Sequence, residues 1–135
     1  MIQALIFDCD GTLTDSMRAH YLGWQHALAA QGMALTDHEF FRHSGTPSRI
    51  LIPRLASIAG LEIDYPRALE DKETHFLQSI NELKPINSVV QIARKNRGTL
   101  PMAVASGGTR RLVELQLQQI QIIDWFDTIV ASEDT

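Results

Sequence analysis

Apolar positions along the chain fall into two patterns. Ala4-Leu5-Ile6-Phe7 is an unbroken apolar run that stops at Asp8, and later runs lie within Pro101–Ser106 and Asp127–Ser132. Short apolar runs bounded by polar or turn residues read as buried strands. Elsewhere the apolar residues recur at helical spacing. Between Asn87 and Asn96 they are Val89, Val90, Ile92 and Ala93, and between Thr109 and Gln121 they are Leu112, Val113, Leu115, Leu117 and Ile120. The order strand, helix, strand, helix, strand predicts an α/β fold with a parallel sheet and right-handed crossovers.

The stretch from Ser16 to Lys84 breaks that alternation. Its pattern predicts helices over Met17 to Gln31, Asp37 to His43, Pro47 to Ala59 and Pro66 to Leu83, punctuated by Gly32, Gly45, Gly60, Tyr65-Pro66 and Lys84-Pro85. A helical insertion of this length forms a unit of its own. The expected division is therefore a core of residues 1–15 and 85–135 and a helical cap of residues 16–84, with hinges near Asp15-Ser16 and Lys84-Pro85.

Composition narrows the partners. The chain has 135 residues, 44% of them hydrophobic, and a net charge of −4. It has no long basic run with interleaved aromatics, so nothing asks for nucleic acid. A small phosphorylated metabolite is the easier partner. One cysteine, no charged-then-apolar leader and no apolar stretch near a membrane span in length predict a cytoplasmic protein without a membrane partner. Nothing in the pattern speaks to oligomeric state.

The chemistry concentrates at two strand ends. Asp8 and Asp10 follow the first strand at i and i+2, ahead of Gly11-Thr12, where ligands of open α/β sheets bind. Two neighbouring carboxylates repel unless a cation or a shared proton intervenes, which suggests an oxygen-ligated divalent metal, most simply Mg2+. Cys9, between them, points back into the core as a small hydrophobe. Ser106-Gly107-Gly108-Thr109 links the second strand to a helix. Glycines, free backbone N–H groups and a helix N-terminus together cradle anions. Ser106 would donate to a phosphoryl oxygen, Gly107 would contribute its N–H, and Thr109 would cap the helix.

Asp8-Cys9-Asp10-Gly11-Thr12-Leu13, followed by Asp15-Ser16, resembles the first motif of the haloacid dehalogenase-like hydrolases, and Ser106 matches the second. The resemblance implies a doubly wound, Rossmann-like core with an inserted α-helical cap. It also implies that Asp8 attacks a phosphoryl group to form an aspartyl-phosphate, while Asp10 protonates the leaving oxygen and then activates water. Mg2+ would be held by the Asp8 side chain and the Asp10 carbonyl. The arrangement Ser16…His20…Trp24, then Gly45-Thr46-Pro47-Ser48-Arg49, then Asp71-Lys72-Glu73 resembles the β-phosphoglucomutase-like branch, which includes phosphatases of sugar phosphates. His20, Trp24, Gly45, Arg49 and Lys72 are then the expected substrate-binding residues. Family members continue past a position like Ser132-Glu133-Asp134-Thr135 into a Gly-Lys-Pro segment and a further strand ending in acids. Both are missing here, so the core is expected to be incomplete and these 135 residues alone inactive. The function expected is a Mg2+-dependent sugar phosphatase. A phosphosugar mutase and a non-catalytic phosphate-binding fragment are the alternatives.

Overall fold

The computed structural model describes all residues, Met1–Thr135, and the chain forms two compact units: Met1–Met17 with Ile80–Thr135, and Arg18–Ser79. In the first unit β1 (Leu5–Phe7), β2 (Met102–Ala105) and β3 (Thr128–Val130) make a parallel sheet in the order β1-β2-β3. Ile6 pairs with Ala103 and Ala103 with Thr128, while Phe7 pairs with Val104 and Val104 with Ile129. Side chains alternate across a strand, so Leu5, Phe7, Met102, Val104 and Ile129 share a face. That face carries the core, packed with Val90 and Ala93 of α5 (Asn87–Asn96) and Val113 and Leu117 of α6 (Arg110–Gln119). Ile6, on the opposite face, is 74% exposed. The parallel α/β arrangement expected from the alternation is what the chain adopts.

The second unit consists of α1 (Met17–Ala29, its first residue in the sheet unit), α2 (Asp37–Arg42), α3 (Ser48–Ile58) and α4 (Tyr65–Gln78). The starts of α2 and α4 have a local cause. Thr36 and Glu39 form a reciprocal capping box at α2, and Asp64 accepts the Arg67 N–H at 3.2 Å at the start of α4. A separate core of Tyr21, Trp24, Ala27, Leu28, Met33, Leu35, Ile52, Ala56 and Ala68 holds the helices together.

The helix expected over Pro66 to Leu83 stops at Gln78. The Ser79 hydroxyl and N–H both turn back to the Phe76 carbonyl, at 3.2 and 3.1 Å, and a 3₁₀ turn follows at Ile80–Glu82. Gln119 of α6 donates to the Asn81 carbonyl at 3.4 Å, so this turn groups with the sheet unit and not with the helices. No helix is long and apolar enough to cross a membrane.

Candidate functional site

Beyond β1 the backbone winds into a tight loop around one carbonyl. The Cys9 oxygen accepts the N–H groups of Thr12, Leu13 and Thr14 at 3.2, 2.9 and 3.1 Å, and Gly11 donates to the Thr14 carbonyl at 2.8 Å. Gly11 has φ of 73°, and a Cβ there would stand 3.0 Å from Met17 Cγ, so both conformation and space call for glycine. The winding turns Asp8 and Asp10 outward and buries Cys9 completely, as expected of a core cysteine. Burial and the neighbouring carboxylates push the Cys9 thiol far above its ordinary range. Partial desolvation raises the pKa of the otherwise exposed Asp8. A 2.7 Å hydrogen bond from the Cys9 N–H opposes this, and the Asp10 charge adds to it.

The Ser106–Thr109 loop lies beside these acids because β2 pairs directly with β1. A Cβ on Gly108 would stand 3.3 Å from Ser106 Oγ and 3.4 Å from Asp10 Oδ2. Gly108 donates its N–H to Ser106 Oγ at 3.0 Å, while the loop is fastened to the next strand by Ser106 N–H to Val130 O and Ser132 N–H to Gly108 O, both at 2.9 Å. Gly107 is exposed. Thr109 occupies the N-cap position of α6 with extended backbone but makes no side-chain cap bond there. Instead the Glu133 carboxylate takes the Arg110 N–H, at 2.9 and 3.1 Å. Asp134 accepts from the Arg110 guanidinium and from the Ala131 N–H. The two C-terminal acids thus anchor α6.

In the helical unit three of the expected substrate residues meet. The His20 ring stacks on Phe76 at 4.4 Å, and the buried Lys72 places Nζ 5.5 Å from the Phe76 ring and 5.7 Å from that of Trp24. Gly45 lies in the turn after α2 with φ of 92°, and Arg49 is exposed in the first turn of α3. A groove of about 640 Å³ on this unit is lined mainly by Leu22, Ala29, Met33 and Leu35, with His26 and His75. None of the five residues belongs to it.

The donor chemistry of the acids fits a hard cation as part of a set. Asp8 and Asp10 offer oxygen ligands, and the repulsion that helps raise the Asp8 pKa is what a cation relieves. No group of three or more His, Cys, Asp or Glu converges anywhere, so two acids are what these residues contribute. Mg2+ ordinarily keeps water and substrate oxygens among its ligands. Ser16, quoted in the motif without a role of its own, donates to Asp10 Oδ1 at 2.7 Å, and Gln116, outside the motifs, is wholly buried. One signal was available for Gln116: it lies one turn beyond Leu112, on the apolar stripe of α6.

The family model described as "Haloacid dehalogenase-like hydrolase" matches residues 5–135. The chain is 26% identical over 131 residues to the fructose-1-phosphate phosphatase YqaB of Escherichia coli (strain K12), an alignment spanning 96% of this chain and 69% of that protein. A solved hydrolase from Pseudomonas syringae superposes with a TM-score of 0.87 at 23% identity, covering 99% of this chain and 63% of that one. CbbY from Rhodobacter sphaeroides, solved in complex with phosphate, gives 0.82 at 21%, covering 100% and 65%. The chain thus spans about two thirds of the length of these proteins.

Proposed function

We propose, from the premise that the chain belongs to the haloacid dehalogenase-like hydrolase family, that it carries the nucleophile and phosphate loop of a Mg2+-dependent phosphatase for small sugar phosphates. One observation carries the reading: Asp8 and Asp10 leave β1 beside the Ser106–Gly108 loop of its paired strand, with Asp10 Oδ2 within 3.4 Å of the Cβ position of Gly108. An acid pair next to an anion-cradling loop suits phosphoryl transfer, which is mostly positioning and charge stabilisation.

In this mechanism an Asp8 carboxylate oxygen attacks phosphorus and the bond from phosphorus to the sugar oxygen breaks. Asp10 gives that oxygen a proton. Asp10 then removes a proton from water, the water oxygen attacks the aspartyl-phosphate, and inorganic phosphate leaves as the Asp8 carboxylate is restored. The Ser106 hydroxyl and the Gly107 N–H hold phosphoryl oxygens throughout. Mg2+, held by the Asp8 carboxylate and by Asp10, would offset the charge on those oxygens. Residues 16–84 serve as the cap, in which His20, Trp24, Gly45, Arg49 and Lys72 bind the sugar phosphate. A fructose-1-phosphate phosphatase and a phosphorylated carbohydrates phosphatase among the relatives support a carbohydrate substrate.

The test is phosphate release from a panel of sugar phosphates with Mg2+ and with chelator, measured on the chain carried on to its relatives' full length so that the lysine segment and later acids are supplied, and comparing the unaltered sequence with Asp8→Asn. The substitution nearly preserves shape but removes the nucleophile, so turnover should fall by about 10³-fold or more while the circular dichroism spectrum is kept. Release near the unaltered rate in Asp8→Asn rejects the assignment. Conversion of one sugar phosphate to its isomer without net release assigns a mutase instead.

A further inference from the structure

Behind Asp10 runs a line of wholly buried polar side chains: Ser16, Thr14 and Gln116. The Ser16 hydroxyl donates to Asp10 Oδ1 at 2.7 Å, and Thr14 Oγ1 lies 3.1 Å from Ser16 Oγ. Gln116, 102 residues away in sequence, places Oε1 2.8 Å from Thr14 Oγ1. Its Nε2 is buried without a hydrogen-bond partner. Buried polar groups are normally satisfied, so this nitrogen asks for an explanation.

Proton counting supplies it. Each hydroxyl has one proton, and Ser16 gives its own to Asp10. With Oε1 facing Thr14, the Thr14 proton goes to the amide. The contact between Thr14 and Ser16 is then left with no proton, and the amide N–H groups are unpaired. A half-turn of the amide about its last bond puts Nε2 where Oε1 stands. Nε2 then donates to Thr14, Thr14 to Ser16, whose Oγ at 3.1 Å is nearer than the Cys9 carbonyl at 3.3 Å, already taken by three N–H groups, and Ser16 to Asp10. Every link of the chain then faces a donor to an acceptor, with Oε1 left facing the unpartnered position in place of the two amide N–H groups, and such chains strengthen one another in a dry interior.

We propose that Gln116 is a positioning residue which, through a directed relay of Thr14 and Ser16, fixes the rotamer of the Asp10 carboxylate. Its consequence for turnover rests on the phosphatase reading, in which Asp10 is the acid and base; the relay itself does not. In that reading Gln116 touches no reacting atom and acts on rate by keeping Asp10 in line with the leaving oxygen.

The experiment follows the side-chain carboxyl 13C resonance of Asp10 at one fixed pH without metal, assigned by its loss in Asp10→Asn. Gln116→Met and Thr14→Val should move it to the position it takes in Ser16→Ala, and Thr14→Ser, which keeps the hydroxyl, should restore it. Thr14→Val cuts the relay with almost no change of shape, so the test survives if Gln116→Met misfolds. A second readout is kinetic. Gln116→Met should lower kcat about tenfold with KM within about twofold, since the relay aligns a reacting group and does not bind sugar. An Asp10 resonance unmoved in Gln116→Met or Thr14→Val, but moved in Ser16→Ala, overturns the relay. Absence of phosphate release from the chain carried on to its relatives' full length counts against the phosphatase reading, and the resonances alone then decide on the relay.

Discussion

At the residue scale Glu133 and Asp134 show how charge is distributed around the Ser106–Thr109 loop. Arg110 is the first residue of α6, and its N–H is capped by Glu133 while its guanidinium is held by Asp134 and by the Ile129 carbonyl. The Ala131 N–H, the largest influence, and the Arg110 charge hold Asp134 below its ordinary value of 3.8. For Glu133, desolvation acts upward but is outweighed by the Glu133 and Arg110 N–H groups and the Ser132 hydroxyl, which leave it below 4.5. A carboxyl whose folded pKa is depressed binds protons less tightly folded than unfolded. The stability it contributes is complete above the ordinary value and disappears as pH falls through the folded value. Melting temperature should accordingly decline once pH drops below about 4.5. In Asp134→Asn and Glu133→Gln it should start lower at neutral pH and decline less steeply in acid. Acid limbs parallel to that of the unaltered protein would show that these groups titrate alike in both states.

At the element scale the close approach of α1 and α4 in the helical unit depends on one residue. A Cβ on Gly23 of α1 would meet the Lys72 carbonyl of α4 at 3.0 Å and Lys72 Cγ at 3.2 Å. Backbone cannot step aside as a side-chain tip can, so Gly23→Ala should lose about 1–3 kcal/mol to overpacking, more than the helix propensity it gains. Equilibrium denaturation measures this, and a stabilised variant would mean that the helices separate freely. Periodicity made much of this architecture legible: the strand runs at Leu5–Phe7, Met102–Ala105 and Thr128–Val130 and the helix over Asn87–Asn96 lie where the apolar spacing predicts. Most of what it missed depends on contacts distant in sequence. Glu133 caps α6 in place of Thr109 only because β3 returns the chain beside β2. The stripe of α6 points Gln116 inward, but its partner Thr14 stands 102 residues away, beyond the reach of local spacing. The break at Ser79 rests on a local hydroxyl bond, a weak signal inside a strong helical pattern.

At the scale of the whole molecule the two cores share no residue: one is built on Phe7, Val104 and Leu117, the other on Trp24, Leu28 and Ile52. The chain passes between the units only at Met17–Arg18 and Ser79–Ile80. Its two passages are tied together within the sheet unit, where Asp15 donates to the Lys84 carbonyl and Ile86 to the Leu13 carbonyl, both at 2.9 Å. The ends of the helical insertion are therefore held whether or not the helices are formed. Opening the helices then creates a long loop whose closure is already fixed by the sheet unit, and no strand pairing has to break. Leu28→Ala, at a fully buried site, should cost about 2–5 kcal/mol. Amide exchange should accelerate at least about tenfold across Arg18–Ser79 while the amides of β1 and β2 keep their protection. Val104→Ala should give the converse only in part. Losing the sheet unit releases the tie between the passages, so exchange should rise in both units. Equal acceleration everywhere in Leu28→Ala would mean that the two cores unfold as one cooperative body.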